Sequence, residues 1–253
     1  MAEVTDLMAY QARDNLLQDR VIVITGAGDG IGRAAALACA KAGATVVLLG
    51  RTLSKLEIVY DAIEGAQGPK PAIYPINFES AVEHDYETLT EALTTEFGRI
   101  DGLLHNASEL GPRTPLVTYS SEAWSRVMQV NVTAPFMLTK ALMPLLEKSS
   151  DASVLFTGSS VGLKGRAYWG AYAASKAAIE NLMQTLADEM DGISSIRANS
   201  INPGATRTSM RATAYPAEDP QSVTAPEDIM GGYLYLLGPD SKAVNGQQFE
   251  AQG

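Results

Sequence analysis

At least six short apolar runs, each followed by a helical pattern, predict an α/β protein: one domain built on a doubly wound parallel β-sheet with helices on both faces. Two observations support this beyond the alternation itself. The runs are rich in Val, Ile and Leu with little polar alternation, as strands buried on both faces require. No internal repeat, linker or low-complexity tract divides the 253 residues, a length that suits one large domain spanning 1–253.

The elements follow in order. Residues 1–18 are polar and lack strand periodicity, so they are expected to form an arm. Val21, Ile22, Val23 and Ile24 are β-branched and suit a buried strand. Gly26, Gly28, Gly30 and Gly32 come next, and the Ala-rich segment 34–42 has strong helix propensity. A strand at 45–49 ends in Gly50-Arg51. Leu53, Leu56, Ile58, Val59 and Ile63 then recur at helical spacing before the breakers of 65–71. Strand 72–77, helix 84–97 and strand 102–105 complete the first half. A helical pattern over 121–147 contains Pro135 and Pro144, which are expected to bend or divide it. Strand 153–157, helix 170–190 and strand 196–201 follow. The segment 209–220, rich in small and breaker residues, is expected to be a mobile lid. A helix at 227–237 and a short strand at 247–250 end the chain.

Composition narrows the function classes. Hydrophobic residues make up 46% and charged residues 19%, which argues against disorder. A net charge of −10 without a basic cluster argues against a nucleic-acid partner. No apolar run approaches the roughly 18 residues of a membrane span. The N-terminus lacks the positive start and apolar stretch of a signal peptide. A cytoplasmic protein without membrane association is therefore expected. Cys39, the single cysteine, lies in an apolar helical pattern and reads as a core residue.

In parallel sheets of this kind, ligands sit beyond the carboxyl ends of the strands. Segments 26–32, 50–51 and 203–208, with Asn77, Asn106 and Ser159, all fall there. A strand entering a glycine-rich turn that opens a helix can hold a pyrophosphate, because the backbone approaches closely and free N–H groups point at the anion. The spacing is not the common G-x-G-x-x-G, and a purely structural strand–helix turn fits the same residues. Tyr172 and Lys176, four apart on a helix, project from one face. A phenol titrates near ~10 when unperturbed, and a neighbouring ammonium lowers that value, which makes tyrosine a usable acid–base group. A solvated surface pair would show the same spacing.

Ser159 precedes Tyr172 by thirteen positions, and Asn131 sits in N-V-T-A-P-F. With T-G-x-x-x-G-I-G at 25–32, these residues resemble the short-chain dehydrogenase/reductase family over nearly the whole chain, from about residue 20. The segments GRAYWGAYAASK and INPGATRT are most similar to its uncharacterised bacterial YciK-type oxidoreductases. The resemblance implies a Rossmann-type fold that binds NAD(P). It implies hydride transfer between that cofactor and a carbonyl or secondary alcohol. Tyr172 is then the general acid–base, and Lys176 holds the nicotinamide ribose and lowers the Tyr172 pKa. Ser159 bonds the substrate oxygen. Asn131 uses its carbonyl to anchor a water that relays protons to Lys176. Thr208 bonds the cofactor carboxamide, and Asn106 borders the adenosine ribose. Further cofactor contacts are implied at Gly26, Gly28, Asp29, Gly30, Ile31 and Gly32, at Arg51, Asn77 and Phe78, at Ala107, and at Pro203, Gly204 and Thr206. No metal is expected. A catalytically silent NADP(H)-binding sensor or scaffold is the alternative, although a sensor is expected to lack one of the four catalytic residues.

The position after the second strand, where NAD-preferring members usually carry an acid, reads Gly50-Arg51. A guanidinium can pair with a 2′-phosphate, which favours NADP(H) over NAD(H). Asp29 pulls the other way, since many NADP-dependent members carry a basic residue there. Ser108 stands where the family motif N-N-A-G has glycine, which leaves the local turn and pocket width open. His105 ends an apolar strand and reads as structural, and His84, among acids, reads as solvated. Leu163, Tyr168 and Trp169 are expected either beside a small-molecule substrate or packing a helix start. A homodimer or homotetramer, paired through helices 121–147 and 170–190, is implied by the family.

Overall fold

The computed structural model describes residues 7–252. Among them, seven strands form one parallel sheet in the order β3-β2-β1-β4-β5-β6-β7. The strands are β1 (Val21–Thr25), β2 (Thr45–Gly50), β3 (Ala72–Pro75), β4 (Gly102–His105), β5 (Ser153–Thr157), β6 (Arg197–Asn202) and β7 (Gln248–Glu250). Strand order reverses between β1 and β4, where Val23 pairs with Val47 on one side and Leu103 on the other. That reversal opens a crevice at the carboxyl ends of the two strands.

The helices are α1 (Gly30–Lys41), α2 (Leu53–Gly65), α3 (Glu83–Glu96), α4 (Ser121–Met128), α5 (Ala134–Leu146), α6 (Ser160–Leu163), α7 (Gly170–Met190), α8 (Ser209–Ala214) and α9 (Met230–Leu237). They cover both faces of the sheet. Ile22, Ile24 and Leu48 face a core with α1, α2 and α9, while Val23, Leu49 and Leu103 face one with α3, α5 and α7. Each fully buried aliphatic side chain contributes about 1.5–3 kcal/mol, so the alternating inward faces of β1 and β2 hold both layers to the sheet. Cys39 is buried among them, and burial pushes its thiol up to about 12. The stretch read as a polar arm buries Leu7, Leu16 and Leu17 in the same core; residues 1–6 lie outside the described residues. Among the described residues no helix is long and apolar enough to cross a membrane.

Two local expectations are corrected. The 121–147 helix is divided not at a proline but by a five-residue π-helical turn, Gln129–Thr133. Pro135 sits in the first turn of α5, where no N–H is needed, and Pro144 lies inside α5 without breaking it. Strand β3 stops at Pro75 rather than Asn77, because an edge strand tolerates a proline but ends readily there. The 209–220 segment begins with a short helix: Thr208 caps α8 by accepting from Arg211 N at 3.1 Å.

His105 is structural, as its apolar strand suggested. Its Nε2 lies 2.8 Å from Thr139 Oγ1, and its ring stacks on Phe156 at 4.8 Å. Burial lowers its pKa to about 3. Unfolded, the ring takes a proton near pH ~6.5, which the folded state refuses. Folding stability is therefore expected to fall as pH drops through that value toward about 3. Denaturant midpoints measured across this range should show a loss in wild type that is smaller in His105→Phe.

Candidate active site

The crevice is a cavity of about 570 Å³ running along the carboxyl edge of the sheet. At one end β1 turns through Gly26, whose φ of +67° is left-handed and natural only for glycine. Gly28, Asp29, Gly30 and Ile31 line the wall here. Gly32 does not reach the cavity. It packs so tightly that a Cβ would lie 2.2 Å from Gly26 O, so its role is to seat α1 under the turn. The cavity floor then passes Arg51, Asn77 and Phe78, and Asn106 and Ala107. Thr25 Oγ1 accepts from both Asn106 N and Ala107 N at 2.9 Å, which ties the end of β4 to β1. Pro203, Gly204, Thr206 and Thr208 close the opposite wall.

Asp29 is not a bare negative charge. It caps α1 by accepting from Gly30 N at 2.7 Å, and it pairs with Lys55 at 2.7 Å. Lys55 holds its carboxyl below the usual range. Lys55 was not singled out from the sequence; its position four residues after Arg51 was the available signal. Lys55 offsets Asp29, and Arg51 lines the same end of the cavity with Glu79.

At the other end lie Ser159 and the α7 pair. The α7 helix buries Ala171, Ser175, Lys176, Ile179 and Glu180, a helical stripe that turns Lys176 inward. Lys176 Nζ donates to Thr157 O at 2.8 Å and lies 5.5 Å from the Tyr172 ring centre. Burial lowers its pKa to about 8, although Glu180 opposes that shift. Burial likewise pushes the Tyr172 phenol up to about 12. Desolvation dominates here, opposed by the Ser159 and Ser108 hydroxyls.

Asn131 lies behind the cavity wall. Its side-chain carbonyl accepts from Glu109 N at 2.7 Å, and its amide donates to Glu109 O and Ser175 Oγ, both at 2.9 Å. The side chain is engaged at both its carbonyl and its amide, which leaves the main-chain carbonyl as the other polar group of Asn131. Pro135, four residues on, has no N–H to give that carbonyl. Trp169 packs 5.7 Å from Tyr172 and 6.0 Å from Tyr215. Arg113, also missed in the sequence, lies over both the Trp169 and Tyr215 rings at 4.7 and 5.0 Å and donates to Ala214 O. It fastens the end of α8, whose Ala214 lines the cavity.

A parallel sheet with a switch-point cavity, a glycine turn at one end and a Tyr–Lys–Ser cluster at the other defines a nucleotide-dependent oxidoreductase architecture. A short chain dehydrogenase family model matches residues 20–219, and the chain belongs to the short-chain dehydrogenase family. The uncharacterized oxidoreductase YciK of Escherichia coli is 49% identical over 245 residues, covering 97% of this chain and 96% of its own. A putative short chain dehydrogenase from Pseudomonas syringae superposes with a TM-score of 0.93 at 58% identity, covering 96% of this chain and 99% of its own. A putative short chain dehydrogenase from Escherichia coli, solved in complex with NADPH, gives 0.93 at 49% identity over 95% of this chain and 100% of its own.

Proposed function

We propose that this chain is an NADP(H)-dependent oxidoreductase that interconverts a small carbonyl compound and its secondary alcohol, with Tyr172 as general acid–base. The observation that carries this reading is the meeting of the Tyr172 phenol, Ser159 and Lys176 in the cavity that the glycine turn and Arg51 also line. The bound nicotinamide supplies or accepts the hydride. Gly26, Gly30 and the α1 N-terminus hold the pyrophosphate, and Lys176 and Thr208 hold the nicotinamide end. Tyr172 passes its proton to the substrate oxygen during reduction, and Ser159 donates to that oxygen as charge develops. Asn131 positions the segment after β4, and its main-chain carbonyl receives the relay water. Trp169 and Tyr215 form the apolar wall for the substrate body. Acidic composition and a buried lone cysteine suit a cytoplasmic enzyme. Trp124 and Phe136, half-exposed on α4 and α5, suit pairing of these helices in a homodimer or homotetramer, which light scattering tests.

The neighbour solved with NADPH supports the phosphorylated cofactor. So does the Arg51–Lys55 pair, since Lys55 offsets Asp29 and leaves Arg51 free for a 2′-phosphate. Arg51→Ala is expected to weaken NADPH binding by about 10–100-fold, the size of a lost charge-assisted hydrogen bond, with NADH little changed. Lys55→Ala should move the ratio the same way by less. Fluorescence titration of both cofactors tests this, and an unchanged ratio in Arg51→Ala removes the assignment.

A further inference from the structure

Trp169 enters the cavity on a strained turn. Tyr168 before it has a φ of +70°, left-handed backbone that an aromatic residue rarely adopts. Gly170 after it turns against Tyr119, so that a Cβ there would lie 2.7 Å from that ring. Strain kept at such a place points to a side chain whose direction matters. That direction sets the Trp169 ring 5.7 Å from Tyr172 and 6.0 Å from Tyr215, and all three residues line the cavity.

Arg113 completes this wall from the exposed side. Its guanidinium lies 4.7 Å from the Trp169 ring centre and 5.0 Å from that of Tyr215. Stacking on two aromatic rings holds a guanidinium in place, so little freedom is left to lose when it binds. One N–H group donates to Ala214 O, and the rest of its donor fork has no partner among the described residues. It has no acidic partner among them either: Glu109 pairs with Arg126 at 3.8 Å, and Glu218 with Arg211 at 2.6 Å. The other cations along the cavity are engaged or remote. Lys55 is held by Asp29, Lys176 by Thr157 O and Arg211 by Glu218, while Arg51 stands at the glycine-turn end.

We propose that Arg113 is a specificity-determining residue whose guanidinium binds an anionic group, a carboxylate or a phosphate, at the far end of the substrate. This rests on the reading of the cavity as a carbonyl-reducing site. The donor fork of an arginine matches two oxygens of either anion. Trp169 is the common neighbour of the phenol and the guanidinium. A substrate whose carbonyl meets Tyr172 therefore runs along that ring, with a short apolar chain joining the carbonyl to the anion. The substrate class is an oxo acid or a phosphorylated ketone rather than a neutral ketone.

The test follows reduction at saturating NADPH of straight-chain methyl ketones ending in a carboxylate, each beside its methyl ester, and of dihydroxyacetone phosphate beside dihydroxyacetone. Wild type is expected to favour the charged member of a pair in kcat/KM by about 10–100-fold, the size of a charge-assisted hydrogen bond. Arg113→Met, which keeps an apolar stem against the rings, should cancel most of that preference, and Arg113→Lys should keep part of it. The carboxylate and phosphate pairs tell which anion is taken. Loss of the bond to Ala214 O by itself slows both members of a pair alike, so the ratio isolates the charge. Equal kcat/KM within every pair in wild type overturns the proposal and leaves the reductase reading standing, as does a preference that survives Arg113→Met. A protein that binds NADPH yet reduces no member of any pair overturns the reductase reading, and the proposal with it.

Discussion

Tyr172→Phe is expected to lower the rate of carbonyl reduction by about 10²–10⁴-fold, the usual range for loss of a general acid–base group. The ring is retained, so its packing against Trp169 at 5.7 Å survives and the cavity keeps its shape. NADPH affinity should therefore stay within a few-fold, and the loss should fall on kcat rather than on cofactor binding. NADPH consumption across a panel of aldehydes and ketones, with cofactor binding measured in parallel, separates the two. Substantial reductase activity in Tyr172→Phe would sink the assignment. A wild-type protein that binds NADPH yet reduces nothing across a broad panel favours the sensor alternative.

Lys176→Met is expected to act in opposite directions on activity and stability. Activity should fall steeply, because the variant loses the cation that holds the ribose. Stability at neutral pH should rise. An ordinary lysine titrates near ~10.4, whereas burial lowers Lys176 to about 8. Between these values the unfolded chain binds the proton and the folded protein does not, so wild-type stability climbs as pH rises through this window. Below about 8 the full cost of burying the cation is present. Methionine removes that cost, while the Thr157 carbonyl loses its donor. The net gain near pH ~7 is about 1–2 kcal/mol, shrinking toward zero by pH ~10. Denaturant midpoints of both proteins across this range measure it. A variant less stable than wild type at neutral pH would contradict the account.

Much of the site was legible in the sequence because its signals are local. The glycine turn follows a β-branched strand directly, and Tyr172 and Lys176 are one helical turn apart. Alternation of strands and helices placed Arg51, Asn106, Ser159 and Thr208 at one sheet edge. The residues that were misread or missed depend on partners far along the chain. Asn131 is defined by Glu109, and Asp29 by Lys55. Arg113 acts on Ala214, which no periodicity connects to it. The π-helical turn at Gln129–Thr133 was hidden because two prolines offered a more obvious break.

The sequence by itself determined the sheet, the glycine turn and the chemical types present at its edge, since propensity and spacing act over a few residues. Only the tertiary structure decided the protonation states and the use of each side chain. Desolvation raises the Tyr172 phenol and lowers the Lys176 ammonium, and it is set by what packs around them from other elements. The same packing spends the Asn131 side chain on Glu109 and Ser175.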